Sequence, residues 1–152
     1  MKNYLILFLL FFLILSSSKS FAEEKWEFFD YDEYCLIQSM PIKTEIPEGK
    51  TRGDFGLIVY RMHKSLDMVV QITPGFKYKS IDSIEVKIDN EVYDFYTDID
   101  VAWSKDDKKT IYAMKKGLEL KTLGISSKGT KVIDVYTLKG FTSALNKLSS
   151  DC

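Results

Sequence analysis

The sequence SIEVKID at residues 83–89, followed by Asn90 and by EVYDFYT at residues 91–97, decides the fold class of this chain. Apolar and polar residues alternate through the first of these stretches. A period of two is typical of a β-strand with one buried face and one solvated face. Asp89 and Asn90 tolerate the positive φ angles of a tight turn. The sequence therefore predicts an antiparallel hairpin here.

Similar strand-like runs lie on both sides of this hairpin. GLIVYRM at residues 56–62 and LDMVVQIT at residues 66–73 are rich in β-branched residues and predict a second hairpin. Further strands are predicted at residues 26–31, 35–40, 118–124 and 131–138. Many short strands separated by turn residues favour a mainly β fold, made of antiparallel sheets in a β-sandwich-like arrangement.

Two segments change to a helical period. In residues 106–116, Asp106 or Asp107 can cap the helix, and Gly117 is suited to its end. The apolar stripe of this helix is predicted to contain Ile111, Met114 and Leu118. A second apolar stripe, on a final helix, is formed by Phe141, Ala144, Leu145 and Leu148. Two short helices therefore accompany the sheets.

Residues 1–22 have the pattern of a secretory signal peptide. Lys2 precedes an unbroken apolar run at residues 4–15, and the small residues Ser20 and Ala22 occupy the positions that a signal peptidase reads. At about 1.5 Å per residue the apolar run is shorter than the roughly 30 Å hydrocarbon core of a membrane. We therefore expect cleavage, a single domain at residues 23–152, a periplasmic or secreted location, and no transmembrane span after cleavage.

The charges of the chain are nearly balanced. Lysine and arginine number 21 against 22 aspartate and glutamate residues, for a formal net charge of −1. A balanced chain has no overall positive field to attract a polyanion, so nucleic acid is not an expected partner.

The two cysteines, Cys35 and Cys152, predict one disulfide. Exported proteins reach an oxidising compartment, where paired thiols are oxidised. Closing a loop of about 100 residues stabilises a fold by about 4–5 kcal/mol in the chain-entropy model. The alternative is a pair of free buried thiols. A catalytic pair is less favoured, because redox cysteines normally lie close together in sequence.

Chemistry-bearing motifs are scarce. His63, the single histidine, lies in a predicted turn, and a small periplasmic hydrolase that uses His63 with carboxylates remains the alternative function. The pairs Asp30/Asp32 and Asp98/Asp100 resemble fragments of a calcium loop but lack its further ligands. The sequence therefore assigns no catalytic residue, no metal ligand and no cofactor.

The aromatic residues are candidates for a binding function. The clusters at residues 26–31 and 93–96 contain too many rings for all of them to be buried on one face of a strand. Rings exposed together form a contiguous apolar patch, which usually marks a contact site. Core packing and cross-strand pairing are the alternative.

Several blocks of the sequence together resemble the invasion-associated locus B family. They are DVAW at residues 100–103, AMKKG at 113–117, GISSKGT at 124–130, DVYTLKGFTSAL at 134–145 and the cysteine at 152. An early tryptophan, Cys35 and ITPGF at residues 72–76 agree with the same resemblance. The resemblance implies an exported, β-rich protein of Gram-negative, mostly alphaproteobacterial, cell envelopes, without an established catalytic activity.

The founding members of that family are linked to host-cell entry. By resemblance we expect a non-enzymatic cell-envelope protein that acts by binding a protein or envelope partner. The candidate binding surface taken from the matching blocks consists of Trp103, Ser126, Ser127, Thr130, Asp134 and Tyr136. Turn capping is the alternative role of the polar members of this set.

Overall fold

The computed structural model describes residues 25–152, so the predicted signal peptide lies outside the described residues. The strands are β1 (Trp26–Asp30), β2 (Tyr34–Ser39), β3 (Lys43–Glu45), β4 (Gly56–Met62), β5 (Val69–Thr73), β6 (Ile84–Ile88), β7 (Glu91–Tyr93), β8 (Phe95–Asp98), β9 (Val101–Ser104), β10 (Glu119–Ile125) and β11 (Lys131–Thr137). The helices are α1 (Asp107–Lys116) and α2 (Phe141–Asp151).

These strands form two antiparallel sheets. The six-stranded sheet has the order β1-β2-β4-β5-β9-β8, and the five-stranded sheet has the order β3-β11-β10-β6-β7. The inner faces of the sheets and the two helices contribute side chains to one apolar core. The predicted fold class, antiparallel β-sandwich-like sheets with two short helices, is confirmed.

The hairpin at residues 83–97 forms in part as predicted. Strands β6 and β7 pair antiparallel, and Asp89 adopts a φ of 51° in the turn between them. The predicted second strand, however, is divided at Asp94. Tyr93 ends β7 in the five-stranded sheet, whereas Phe95 begins β8 in the six-stranded sheet. One sequence run therefore links the two sheets.

Helix α1 begins at its predicted cap, because the side chain of Asp106 accepts a hydrogen bond from the Lys109 backbone N–H at 3.0 Å. Met114 is buried as expected, but Leu118 is 80% exposed, so its predicted place in the apolar stripe is wrong. The helix ends at Lys116, and beyond it the helical period no longer determines which side chains face the core.

Helix α2 packs on the inner side of the six-stranded sheet, next to β1 and β2. Phe141, Leu145 and Leu148 are buried as the stripe predicts, and Ala144 packs against the core. The ring of Phe141 lies 4.9 Å from that of Trp26, centroid to centroid. A helix of this length depends on such contacts, because short helices are marginal alone.

Candidate functional site

A disulfide joins Cys35 on β2 to Cys152 at the end of α2, as the sequence predicts. The two Cα atoms are 5.8 Å apart, and the cysteines are separated by 117 positions in the chain. Cys35 is fully buried. The bond therefore fixes the last helix to β2, the strand next to the edge strand β1 of the six-stranded sheet.

His63 lies directly beside this disulfide. Its Nε2 is 2.6 Å from the carbonyl oxygen of Tyr31, and its Nδ1 is 3.4 Å from the carbonyl oxygen of Cys152. When both ring nitrogens carry a proton, each donates a hydrogen bond to one of these carbonyls. The bond to Tyr31 first, then the bond to Cys152 and the nearby Asp30 carboxylate, raise the pKa of His63 above its ordinary value. The ring therefore helps to hold the two chain segments together.

This position of His63 gives little support to hydrolase chemistry. A general base needs a free ring nitrogen within reach of a nucleophile, and both nitrogens of His63 contact backbone carbonyls. The Sγ atoms of Cys35 and Cys152 lie within 4.8 Å of the ring. Sulfurs joined in a disulfide are not thiolates, however, and the thiolate is the form that attacks substrates and binds metals.

Two residues of the expected binding surface are buried instead. Asp134 is 3% exposed and Tyr136 is fully buried, so the prediction that they lie on a surface is wrong. They share the inner face of β11 with Val132, because every second residue of a strand points to the same side. Burial raises the pKa of the Tyr136 hydroxyl, and the nearby Asp134 carboxylate raises it further.

The carboxylate of Asp134 has a structural role in a buried polar network. It accepts hydrogen bonds from both Nη atoms of Arg52, at 2.6 and 2.7 Å, and from the hydroxyl of Thr44 at 2.7 Å. Arg52 also donates to the carbonyl oxygen of Pro74 and lies over the ring of Phe55. The ion pair therefore anchors the loop after β3 to the inner face of the five-stranded sheet.

The polar residues Ser126, Ser127 and Thr130 belong to the turn between β10 and β11. The Ser126 backbone N–H donates to the carbonyl oxygen of Thr130, and the Thr130 N–H donates to the hydroxyl of Ser126. Gly129, with a φ of 79°, allows the turn to close. Ser126 is buried, whereas Ser127 is exposed, so this turn keeps only part of its polar surface accessible.

Trp103 lies on the outer face of the six-stranded sheet, in strand β9. The structure therefore does not bring the six expected surface residues together. Trp103 belongs to one sheet, the three turn residues belong to the other, and Asp134 and Tyr136 are in the interior.

Trp103 does join a different group, a continuous series of rings that we call the aromatic row. The row consists of Phe29, Tyr31, Tyr34, Tyr60 and Trp103. Successive ring centroids are 6.4, 5.0, 6.3 and 6.2 Å apart. On β2 and β4 the rings alternate with buried core residues, so they lie on the outer face. The two aromatic clusters in the sequence contain Phe29 and Tyr31, but not Tyr34, Tyr60 or Trp103.

Carboxylates border the aromatic row. Asp32 and Glu33 are exposed in the turn between Tyr31 and Tyr34. Burial raises the pKa of Tyr60, and the charge of Asp107 raises it further. A groove of about 620 Å³ begins at Val69, which is paired with Tyr60, and includes the 87% exposed Leu66. Its wall also carries three aspartates and three lysines. The outer face of this sheet is therefore apolar at its centre, acidic at the turn after Tyr31, and of mixed charge along the groove.

The fold and this surface together define a class of small β-sandwich-like proteins that are closed by a disulfide and carry aromatic rings on one outer sheet face. Neither α1 nor α2 within residues 25–152 is long and apolar enough to cross a membrane. The family model for the invasion associated locus B (IalB) protein matches residues 32–149, and the chain belongs to this family.

A search of solved structures supports the same fold. The crystal structure of invasion associated protein B from Bartonella henselae matches with a TM-score of 0.56 and 16% sequence identity, over 82% of this chain and 92% of that one. No curated protein matches the chain significantly.

Proposed function

We propose that this protein is exported to the periplasm or beyond and acts without catalysis, by binding another protein through the aromatic row. Family membership and the Cys35–Cys152 disulfide support an exported, oxidised protein. A contact with a host-cell protein fits the description of the family as invasion associated.

The aromatic row is the observation that carries this proposal. Tyrosine and tryptophan are enriched among the residues that dominate protein–protein affinity, because they bury a large rigid area at a small entropic cost. No described helix or loop takes the rings of the row into the core: Tyr31 is 47% exposed, and Tyr34, Tyr60 and Trp103 are half-buried. Tyr96, opposite Trp103 on β8, extends the exposed surface to the edge of the sheet.

The charges around the aromatic row indicate what kind of protein surface fits. They favour a partner with an apolar contact region, basic groups opposite Asp32 and Glu33, and mixed charges opposite the groove, because complementary charges steer association. A tightly bound protein partner buries about 800 Å² on each side.

Site-specific photo-crosslinking of the full chain in its native cells, with and without added host cells, tests this proposal. A photoreactive phenylalanine analogue replaces Tyr96 in one variant and Lys121, on the outer face of the five-stranded sheet, in the matched control. We expect one crosslinked protein from the Tyr96 position and none from the Lys121 position. Trp103→Ala combined with Tyr60→Ala should abolish the product.

Two results would contradict the proposal. One is a crosslinked product that survives the Trp103→Ala/Tyr60→Ala substitutions, since the row would then not be the contact. The other is a product that mass spectrometry identifies as a second copy of this chain. That result would make the row a self-association surface rather than a site for a different protein.

A further inference from the structure

A pocket of about 440 Å³ lies at the end of the five-stranded sheet, away from the aromatic row. It is bounded by the loop after β3, by residues 76–77 and by the turn between β10 and β11. Ser126, Ser127 and Thr130 of the sequence-based surface all contribute to its wall. The structure therefore gives these three residues a shared site that the proposed function does not use.

The charge of this pocket is positive and uncompensated. Lys50, Lys77 and Lys128 line it together with Arg52, and no aspartate or glutamate lines it. The charge of Arg52 is matched by Asp134 in the buried network. Among residues 25–152, the three lysine ammonium groups form no ion pair and no hydrogen bond. A chain with a net charge of −1 thus concentrates three free cations around one cavity.

Hydroxyl donors accompany these cations. The side chains of Thr51, Ser127 and Thr130 line the pocket, and none of their hydroxyls is hydrogen-bonded within the described part of the chain. The turn that carries two of them is fixed by three internal hydrogen bonds, including one from the Gly129 N–H to the carbonyl oxygen of Ser126 at 2.8 Å. The donors on this turn are therefore held in place before any ligand arrives, which reduces the entropic cost of binding.

The rest of the wall is apolar. Phe76 packs edge-on against Tyr78 and fits over Gly124, where a Cβ atom would lie 2.9 Å from the ring. Ile46 and Val132 complete the apolar part of the lining. A single tetrahedral anion would fill only part of such a volume, so the pocket has room for an anion attached to a ring-sized group.

We propose that this pocket binds a sugar that carries sulfate or phosphate esters. The ester oxygens would accept hydrogen bonds from the lysine ammonium groups and from the hydroxyls, since charge-assisted hydrogen bonds are the strong ones. The apolar face of the sugar ring would pack against Phe76 and Ile46. This binding is independent of the protein–protein contact proposed for the aromatic row.

NMR titration of the isotope-labelled, disulfide-bonded protein with a heparin-derived disaccharide tests this proposal. We expect saturable shifts centred on Lys77, Ser127 and Thr130, and weaker binding as salt increases. The same disaccharide without sulfate esters should cause no shifts at these positions. Inorganic sulfate alone should bind at least about tenfold more weakly, because it lacks the ring contacts.

Two double variants with the same change of net charge provide the control. Lys77→Ala/Lys128→Ala should weaken binding of the sulfated disaccharide by about tenfold or more, because two charge-assisted bonds are lost. Lys121→Ala/Lys139→Ala removes two exposed lysines outside the pocket and should leave the affinity nearly unchanged. Equal weakening by the two double variants would overturn the proposal, since net charge alone would then explain the binding.

Two further results would also overturn it. Equal affinity for inorganic sulfate and for the sulfated disaccharide would identify a simple anion site without sugar recognition. Tighter binding to phosphatidylglycerol vesicles than to the disaccharide, lost in Lys77→Ala/Lys128→Ala, would identify a lipid headgroup as the ligand instead.

Discussion

The outer faces of the two sheets carry opposite kinds of side chains. The six-stranded sheet exposes linked aromatic rings. The five-stranded sheet exposes paired charges, with Lys43–Glu45 at 2.6 Å and Lys87–Glu85 at 2.9 Å between nitrogen and oxygen. Surface ion pairs of this kind contribute little to stability but keep a face solvated. The difference indicates that one face is suited to contact and the other to water.

The inner faces differ as well. A distant segment is anchored to each sheet, by the covalent Cys35–Cys152 bond in the six-stranded sheet and by the Arg52–Asp134 ion pair in the five-stranded sheet. Breaking each anchor measures how much stability the corresponding sheet derives from it.

The largest effect is expected from the covalent anchor. Cys35→Ser/Cys152→Ser should lower the free energy of unfolding by about 4–5 kcal/mol, because the unfolded chain regains the entropy of a loop of more than about 100 residues. Chemical denaturation of the oxidised protein and of the variant measures the difference. An unchanged midpoint would show that α2 is held by packing alone.

Breaking the Arg52–Asp134 ion pair should reduce stability by a similar amount, but here a second substitution should restore most of the loss. Asp134→Ala should cost about 3–5 kcal/mol, because it leaves the buried Arg52 guanidinium unpaired. Arg52→Met/Asp134→Ala, which removes both charges, should recover most of that loss. Thermal unfolding of the two variants tests this pair, and equal destabilisation of both would mean that packing around Asp134, rather than unpaired charge, causes the loss.

Substitutions on the two outer faces should differ in their effect on partner binding. Tyr60→Ala/Trp103→Ala should reduce partner binding more than a hundredfold, since buried aromatic residues at interfaces are each worth about 2 kcal/mol or more. The matched Lys87→Ala/Lys121→Ala pair should change both binding and stability little. Binding assays and denaturation on the same samples test this. Equal loss of binding from both faces would remove the contrast between them.

The smallest effect concerns His63. Its pKa is raised in the folded protein. Protonation gives both ring nitrogens an N–H for the carbonyls of Tyr31 and Cys152, and the stability that this adds is fully present below the ordinary pKa of 6.5 and is lost as pH rises through the folded value. The difference in thermal midpoint between the native chain and His63→Gln should therefore be larger at about pH 5.5 than at about pH 8.5. A difference that grows with pH would contradict this assignment.

Prediction of the structure from the sequence is most accurate where the local pattern and the burial of the side chains agree. The alternation in β6 and the cap at Asp106 are local signals, and both are found in the structure. The disulfide follows from the number and positions of the cysteines in a chain that the sequence predicts to be exported. These predictions needed no knowledge of how distant strands are arranged.

The features that the sequence did not predict correctly share a different cause. Asp134 looks like a surface residue because a lone aspartate in a strand is rarely buried, and its partner Arg52 is 82 positions away in the chain. The division at Asp94 depends on which sheet accepts each half of the run, and alternation alone does not encode that choice. The aromatic row joins β2, β4 and β9, so only the strand order reveals it.

The edges of the five-stranded sheet have a consequence for behaviour at high concentration. Its edge strands, β3 and β7, are each three residues long, and β3 carries Lys43 and Glu45. Short, charged edges offer few unpaired backbone groups to another chain and resist sheet-to-sheet aggregation. The edges of this sheet should therefore not cause aggregation in a crowded compartment, even while the rings on the other sheet remain available for contact.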